Sequence, residues 1–235
     1  MTRPSIDRLR RASYVLAVFI SALAPAACAS APAQQAAGAP ADPAIAAAAV
    51  AATMPQRRLQ IVFEWTMTDR DARFSGRGTM RIDTGYRARL DLFGPRGETL
   101  AATILTDAQM RSVPPLAGAM LPPPAMMWAA LGIFRAPEDA DLMRASISGG
   151  TTQLEYARGA IRWQFSIADG LLRSMEWTNG SARRTVQLTG TSSLGMPAEA
   201  SFRDWTEFRQ LTLKVTDVEE KASFEPDVWI LPGER

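Results

Sequence analysis

The sequence predicts a mainly β domain, an antiparallel sheet of about eleven strands curled into a barrel or half-barrel. Apolar and polar residues alternate with a period of two from Arg57 onward, as in strands that bury one face. Glycine-containing turns separate these short segments, and tight turns of this kind join antiparallel neighbours. No helical pattern recurs between the strands, so a parallel α/β fold is excluded.

Residues 1–28 have the organisation of an export signal. A basic stretch, 1–13, precedes an apolar run of eleven residues, 14–24, which is shorter than the ~20 residues needed to cross a bilayer. Pro25-Ala26-Ala27-Cys28 follows and resembles the lipobox of bacterial lipoproteins, in which small residues precede a cysteine that is lipidated and becomes the new N-terminus. The sequence therefore predicts a lipid, such as palmitate, on Cys28. The alternative is an ordinary signal that is cut just before this cysteine.

The charge of the chain is concentrated in this leader. Residues 1–28 hold four arginines and one aspartate, so of the 26 basic and 24 acidic residues, 22 and 23 remain in residues 29–235, a net charge of −1. A nucleic-acid-binding domain would keep a basic balance after processing. We therefore expect no nucleic-acid partner.

A tether is predicted between the leader and the domain. Residues 29–56 are nearly all Ala, Pro, Gln and Gly, with Asp42 as their only charge and no aromatic residue. Such a stretch buries too little apolar area to offset its ordering entropy. The run Ala44–Ala52 has helix propensity but no polar face, and a short helix there is compatible with this interpretation. The folded domain is predicted to span residues 57–235.

The strands of this domain can be placed individually. Leu59–Met67 carries large apolar residues at every odd position, and the next segment repeats the alternation with Gly76 and Gly78, which suit a bend or a close approach of two backbones. The further predicted strands are Tyr86–Phe93, Glu98–Thr106, Gln109–Val113, Gln153–Ala157, Ala160–Ala168, Leu171–Asn179, Ala182–Thr189, Ala198–Asp204 and Arg209–Val218. The side chains predicted to face the interior are Leu59, Ile61, Phe63, Trp65, Met80, Leu90, Leu92, Ile161, Trp163, Phe165, Val186, Leu188, Leu211 and Leu213.

Residues 114–136 interrupt the alternation. Pro122–Pro124 can begin a helix, and Met126–Phe134 would then be an almost wholly apolar helix of about two and a half turns. A helix that is apolar on all sides must be buried or must face an apolar ligand. Two interpretations stay open: a plug that completes the core of an open sheet, and a lid over a cavity that accepts acyl chains.

An exported lipoprotein with this strand meander and a midway apolar helix resembles the LolA/LolB-like lipoprotein-localisation superfamily. The resemblance covers roughly residues 57–235, with local likeness at Arg87–Glu98, Phe165–Leu172 and Val218–Pro232. It implies an unclosed antiparallel β-barrel with a helical lid and a hydrophobic cavity for lipid or for the acyl chains of lipoproteins. A lipid-anchored chain is more similar to the outer-membrane receptor of this superfamily than to its soluble carrier.

The resemblance also implies which residues bind the ligand. The cavity and lid residues expected to contact acyl chains are Phe63, Trp65, Trp163, Phe165, Met126, Met127, Trp128, Leu131 and Phe134. The receptor also has a protruding loop with an exposed leucine, for which Leu116 and Leu121 are the candidates.

The sequence contains no recognisable catalytic motif. There is no histidine and one cysteine, so Ser-His and Cys-His pairings and cysteine clusters for metals are excluded. No phosphate-binding glycine loop or G-x-S-x-G elbow is present. We expect a non-enzymatic, monomeric protein without cofactor or metal.

Two functions are compatible with these features. In the first, an envelope protein anchored at the outer membrane and facing the periplasm binds acyl chains or lipoproteins and aids their localisation or insertion. Ala29, rather than aspartate, follows the cysteine and favours outer-membrane sorting. Its partners would be membrane lipid, other lipoproteins or a periplasmic carrier. In the second, a structural or assembly lipoprotein has a filled core and binds protein partners on its surface.

Overall fold

The structure is a computed structural model, and it describes residues 41–115 and 120–234. The predicted leader, the lipidation site Cys28 and the candidate Leu116 lie outside the described residues. Within the described ranges, no helix is long and apolar enough to cross a membrane.

In the described residues, twelve strands form one antiparallel sheet that does not close. The strands are β1 Arg58–Asp69, β2 Ala72–Asp83, β3 Arg87–Phe93, β4 Thr99–Thr106, β5 Gln109–Val113, β6 Asp141–Ser148, β7 Thr151–Arg158, β8 Ile161–Ala168, β9 Leu171–Asn179, β10 Ala182–Thr189, β11 Glu199–Asp204 and β12 Arg209–Lys221. Two helices are described, α1 Pro43–Thr53 and α2 Pro124–Ala130, and short 3-10 turns lie at Ser193–Gly195 and Pro226–Trp229. The predicted fold class, an unclosed antiparallel β-barrel with a helical lid, is confirmed.

Neighbouring strands in the sheet are consecutive in the chain, except that β1 pairs with β12. The order is β5-β4-β3-β2-β1-β12-β11-β10-β9-β8-β7-β6, so the first and last strands meet in the middle. The free edges are β5 and β6, and residues 114–140 connect these two edges. The predicted Arg-Gly, Asp-Gly and Asn-Gly turns join β7 to β8, β8 to β9 and β9 to β10.

The sequence prediction missed one strand, β6. A β-bulge between Leu142 and Arg144 breaks its alternation, and its apolar side chains Met143 and Ile147 are exposed at the sheet edge. Because the period of two is interrupted and no residue of the strand is fully buried, the segment shows no alternation of apolar and polar residues.

Helix α1 lies inside the segment predicted to be a flexible tether. The Asp42 side chain caps it by accepting a hydrogen bond from the Ala44 N–H, 2.9 Å away. Ala49 is buried, and Ile45 and Val50 pack against the main core. Helix α1 therefore packs against the core of the domain, although its residues lie in the segment for which a tether was predicted.

The inner face of the sheet forms the core. Of the side chains predicted to face the interior, all are buried except Ile161, which is half-buried against the same cluster. Helix α2 belongs to this cluster, so it lies on the inner face.

Candidate functional site

The lid segment, residues 121–135, covers the inner face of the sheet and contains α2. Met126, Met127 and Trp128 are buried together with the two alanines that follow, and none of the seven helix residues is charged. The helix ends four residues earlier than predicted. Gly132 adopts a left-handed φ of +76°, and the Gly132 and Ile133 N–H groups donate to Ala129 and Trp128, which is the bonding of a Schellman cap.

The structure brings all nine predicted cavity and lid residues together. Phe63, Trp65, Trp163 and Phe165 come from the sheet, and Met126, Met127, Trp128, Leu131 and Phe134 come from the lid segment. Each is at most 7% exposed. The Phe134 and Phe165 rings meet edge to face with centroids 4.8 Å apart.

Little space remains between these side chains. A void of about 20 Å³ lies between sheet and lid, lined among others by Phe63, Met80 and Leu131. In this conformation, α2 itself occupies the place where a ligand cavity was expected.

Two glycines allow the aromatic side chains of β1 to lie flat on β2. A Cβ at Gly78 would come within 2.2 Å of the Phe63 ring, and a Cβ at Gly76 would come within 2.0 Å of the Phe93 carbonyl oxygen. The Trp65 indole N–H donates to the Phe93 carbonyl and also to that of Arg77, at 3.2 and 3.0 Å. The predicted close approach at these glycines is confirmed.

An open cleft, the mouth cleft, leads toward the small void. It measures about 520 Å³ and lies between the end of α1, the end of the lid segment, the turn between β8 and β9, and the loop 190–197. Leu131, Met196 and Pro197 line both the cleft and the void. These three side chains therefore lie between the mouth cleft and the space under the lid.

Sequence reasoning missed the rim of this cleft. Leu194 is 44% exposed and has a φ of +59°, a left-handed conformation that is costly for a residue with a branched apolar side chain. Its loop shows no alternation and contains no motif. The position is recognised only in the folded chain, by the exposure of Leu194 and by its left-handed backbone conformation.

Among the described residues, three neutral hydrogen bonds join the lid segment to the elements beside it. The Trp128 indole N–H donates to the Asp107 carbonyl at 2.7 Å, and the Tyr86 hydroxyl donates to the Phe134 carbonyl at 3.0 Å. The Phe134 N–H donates to the Thr53 hydroxyl of α1, also at 3.0 Å. Burial raises the pKa of Tyr86, so this phenol keeps the proton that it donates.

The lid segment ends at a buried cation. The Arg135 guanidinium lies 2.7 Å from a carboxylate oxygen of Asp107 and 2.8 Å from one of Glu138. Both carboxylates are more than half exposed, whereas the arginine is buried. The two carboxylates therefore compensate the charge of the buried guanidinium, and solvent still reaches both carboxylates.

Of the two leucines predicted to contact the membrane, Leu116 and Leu121, only Leu121 lies in the described residues. Leu121 is 6% exposed, so it packs in the core and is not presented on the surface in this conformation.

Among the described residues, no group of three or more Cys, Asp or Glu side chains could hold a metal ion.

Solved structures share this fold. A LolA superfamily protein from Nitrosomonas europaea matches with a TM-score of 0.53 at 14% identity, over 82% of this chain and 99% of its own. A domain named for outer membrane lipoprotein sorting, from Vibrio parahaemolyticus, matches with a TM-score of 0.51 at 9% identity, over 80% and 95%. No protein-family model and no curated protein matches the sequence. The chain has the LolA-like fold, and at this identity the likeness shows the fold alone.

Proposed function

We propose that this chain is a lipid-anchored envelope protein that takes up acyl chains, or lipoproteins that bear them, between its sheet and its lid segment. It would thereby aid the localisation or insertion of lipoproteins at the outer membrane. The observation that carries the proposal is the uncharged helix α2 on the apolar inner face of a LolA-like half-barrel. The name of the Vibrio domain, which refers to lipoprotein sorting, agrees with it.

In this proposal the lid segment moves to admit the ligand. The void under it is about 20 Å³, too small for a chain, so the chain must replace α2 on the inner face. Burial of each methylene contributes ~0.8 kcal/mol. The three neutral hydrogen bonds at the margins of the lid segment contribute about 1 kcal/mol each. The ion pair of Arg135 with the exposed Asp107 adds about 1 kcal/mol at most. Burial of several methylenes therefore offsets the loss of these interactions, provided that the bound chain covers the apolar side chains of the helix.

The anchor and the mouth cleft have complementary roles in this mechanism. A lipid on Cys28 holds the domain at the membrane, and the mouth cleft of about 520 Å³ supplies the entry. Its gate is the set of three side chains that also line the void, Leu131, Met196 and Pro197. No side chain in this path has to form or break a covalent bond.

Native mass spectrometry with lipid extraction tests the proposal. The chain is purified from the envelope of a bacterial host, and we expect a co-purified fatty acid, phospholipid or acylated peptide. Met127→Lys, in the lid, should lose this ligand, whereas Met143→Lys, at the exposed edge strand β6, should retain it. An apo mass that does not change after addition of lipid or acylated peptide contradicts the proposal.

The packed interior favours a second candidate function. If the lid segment is a permanent plug, the protein is a structural or assembly lipoprotein whose partners bind its outer face or the free edges β5 and β6. In that case Met127→Lys unfolds the chain, and no lipid accompanies the wild-type protein. The two functions therefore give opposite results in the same experiment.

A further inference from the structure

A second cleft, the indole cleft, lies at the beginning of α2, away from the mouth cleft. It measures about 270 Å³. Its apolar walls are Pro123, Pro124 and Met126 of the lid segment and Trp163, Met175 and Trp177 of the sheet. Arg135, Glu138 and Arg158 supply its charged groups.

The two tryptophans of the indole cleft are direct neighbours with an arginine over each. Trp163 of β8 is paired in register with Trp177 of β9. The guanidinium of Arg158 lies 5.8 Å from the Trp163 ring, and that of Arg184 lies 4.8 Å from the Trp177 ring. Arg184 also forms an ion pair with the buried Asp204 at 2.6 Å, so its charge is compensated.

Arg158 differs from the other arginines at this cleft. Arg135 is compensated by Asp107 and Glu138. Arg158 forms no ion pair with a carboxylate among the described residues, and its side chain is exposed. Arg158 is therefore the arginine lining the cleft that has no carboxylate partner, although the two carboxylates on Arg135 balance the total charge of these four groups.

The indole groups add hydrogen-bond donors that have no acceptor. Within the described ranges, the N–H groups of Trp65, Trp128 and Trp205 each donate to the protein. Those of Trp163 and Trp177 donate to no protein acceptor, and neither N–H group is fully buried, so both are open to solvent or to a ligand. The indole cleft thus offers a guanidinium and two N–H groups to a ligand that supplies the acceptors.

We propose that the indole cleft binds the anionic head, a phosphate or carboxylate, of an amphiphile whose chain continues under α2. A phosphate or carboxylate brings several acceptor oxygens and a charge opposite to that of Arg158. The first part of the chain would lie against Met126, which lines the indole cleft and also belongs to the core under the lid. The inference rests on the proposed function, because it names the class of ligand that the lid site takes.

Binding of matched amphiphiles to the full chain, followed by tryptophan fluorescence and calorimetry at low ionic strength, tests this inference. The probes are dodecyl phosphate, dodecyltrimethylammonium with the same chain and the opposite charge, and inorganic phosphate alone. Arg158→Gln should weaken dodecyl phosphate about tenfold and leave dodecyltrimethylammonium unchanged or slightly tighter, because hydrogen bonds to charged groups are worth a factor of this order. Arg158→Lys, which keeps the charge and loses the planar fork, should lie in between.

Arg162→Gln is the matched control. Arg162 is an exposed arginine at the start of the next strand, and its guanidinium donates to the carbonyls of Gly159 and Ile161 rather than lining the cleft. Arg162→Gln removes the same charge as Arg158→Gln and should leave the affinities for dodecyl phosphate and dodecyltrimethylammonium unchanged. Equal weakening by the two variants, or equal affinity of the wild type for both amphiphiles, overturns the inference and leaves the proposed function intact.

The remaining outcomes separate the two proposals and the two sources of anion. If neither amphiphile binds, the proposed function fails as well. If inorganic phosphate binds as tightly as dodecyl phosphate, the site takes the free anion, and the assignment to an amphiphile is overturned.

Discussion

The lid segment and the C-terminal strap, residues 222–234, both cover the sheet, but different forces hold them. The lid segment lies on the inner face mainly through apolar contacts and neutral hydrogen bonds at its margins, and its one ion-paired residue, Arg135, binds carboxylates that are more than half exposed. The strap lies on the outer face, where the Arg89 guanidinium donates to the carbonyls of Val228 and Ile230 at 2.8 and 3.1 Å. Arg87 stacks 4.2 Å from the Trp229 ring centroid.

A buried charge network fixes the strap to the sheet. Arg89 and Arg81 both bind the carboxylate of Asp91, which is buried. Leu231 of the strap forms a separate small apolar cluster with Ala102 and Ile104. Charge-assisted bonds are directional and cannot be replaced by an acyl chain, whereas apolar contacts can. The comparison indicates a fixed strap and an exchangeable lid segment.

The largest effect is expected at the strap. Asp91→Ala leaves Arg81 and Arg89 without their carboxylate, and loss of one partner from a buried pair costs about 3 kcal/mol or more of unfolding free energy. Urea unfolding followed by circular dichroism measures this loss, with the exposed Asp217→Ala, expected within about 0.5 kcal/mol of the wild type, as control. An Asp91→Ala protein as stable as the control would show that the charge network does not fix the strap.

The second-largest effect is expected in the lid segment, where a ligand should restore stability that a substitution removes. Met127→Ala should lower the unfolding free energy by about 2–3 kcal/mol, because it opens a cavity in the core. Saturating dodecyl phosphate should restore much of this loss by filling the space and by stabilising the folded state through binding. The same addition should stabilise Asp91→Ala no more than it stabilises the wild type. If both variants recover equally, the two regions are not different in the proposed way.

A smaller, pH-dependent effect concerns the carboxylate that holds Arg87 beside the strap. Burial raises the pKa of Asp83, but the hydrogen bonds from Arg87 and the Thr84 N–H and the charges of Arg87 and Arg58 outweigh it, so the pKa lies below its usual value. The stability that Asp83 contributes is complete above its unfolded pKa of about 3.9 and is lost as the pH falls through the lower folded value. Asp83→Asn should therefore be less stable than the wild type by about 1–2 kcal/mol at pH 7.

Urea unfolding at the two ends of this range checks the sign. The difference between Asp83→Asn and the wild type should shrink as the pH falls below about 3.9, because protons then bind the unfolded wild-type carboxyl before the folded one. A difference that is the same at both pH values would assign the loss to packing instead of charge.

The smallest effect is expected at one margin of the lid segment. Tyr86→Phe removes the hydrogen bond to the Phe134 carbonyl, worth about 1 kcal/mol, without changing the ring that packs edge to face on Trp128. Amide hydrogen exchange should become about fivefold faster in residues 126–134 and stay unchanged in the strap. Equal acceleration in both segments would indicate a global loss of stability rather than a looser lid.

The sequence predicts local elements well where one face of a strand is buried. The ends predicted for β5, β9 and β10 are those observed, because alternation and turn residues are both present there. It fails where burial depends on distant parts of the chain. Strand β6 has a bulge and an exposed edge, and α1 consists mostly of alanine, with no amphipathic pattern to indicate that Ala49 would be buried.

The candidate site shows the same division. The set of apolar side chains on β1, β8 and the lid segment is readable from period and composition, but their packing into a void of only about 20 Å³ is not. The register that places Trp163 beside Trp177, with Arg158 over the Trp163 ring and without a carboxylate partner, also appears only in the folded sheet.

The sequence by itself determined the strand period, the turns, the apolar lid helix and the resemblance to a LolA-like half-barrel, because these depend on residues that are close in the chain. Only the tertiary structure decided the pairing of β1 with β12, the docking of α1, the separation of the two clefts and the charge network under the strap. The physical reason is that each of these features is a contact between segments that are far apart in sequence. Its free energy depends on the shapes and charges of both surfaces together, and no local pattern encodes that sum.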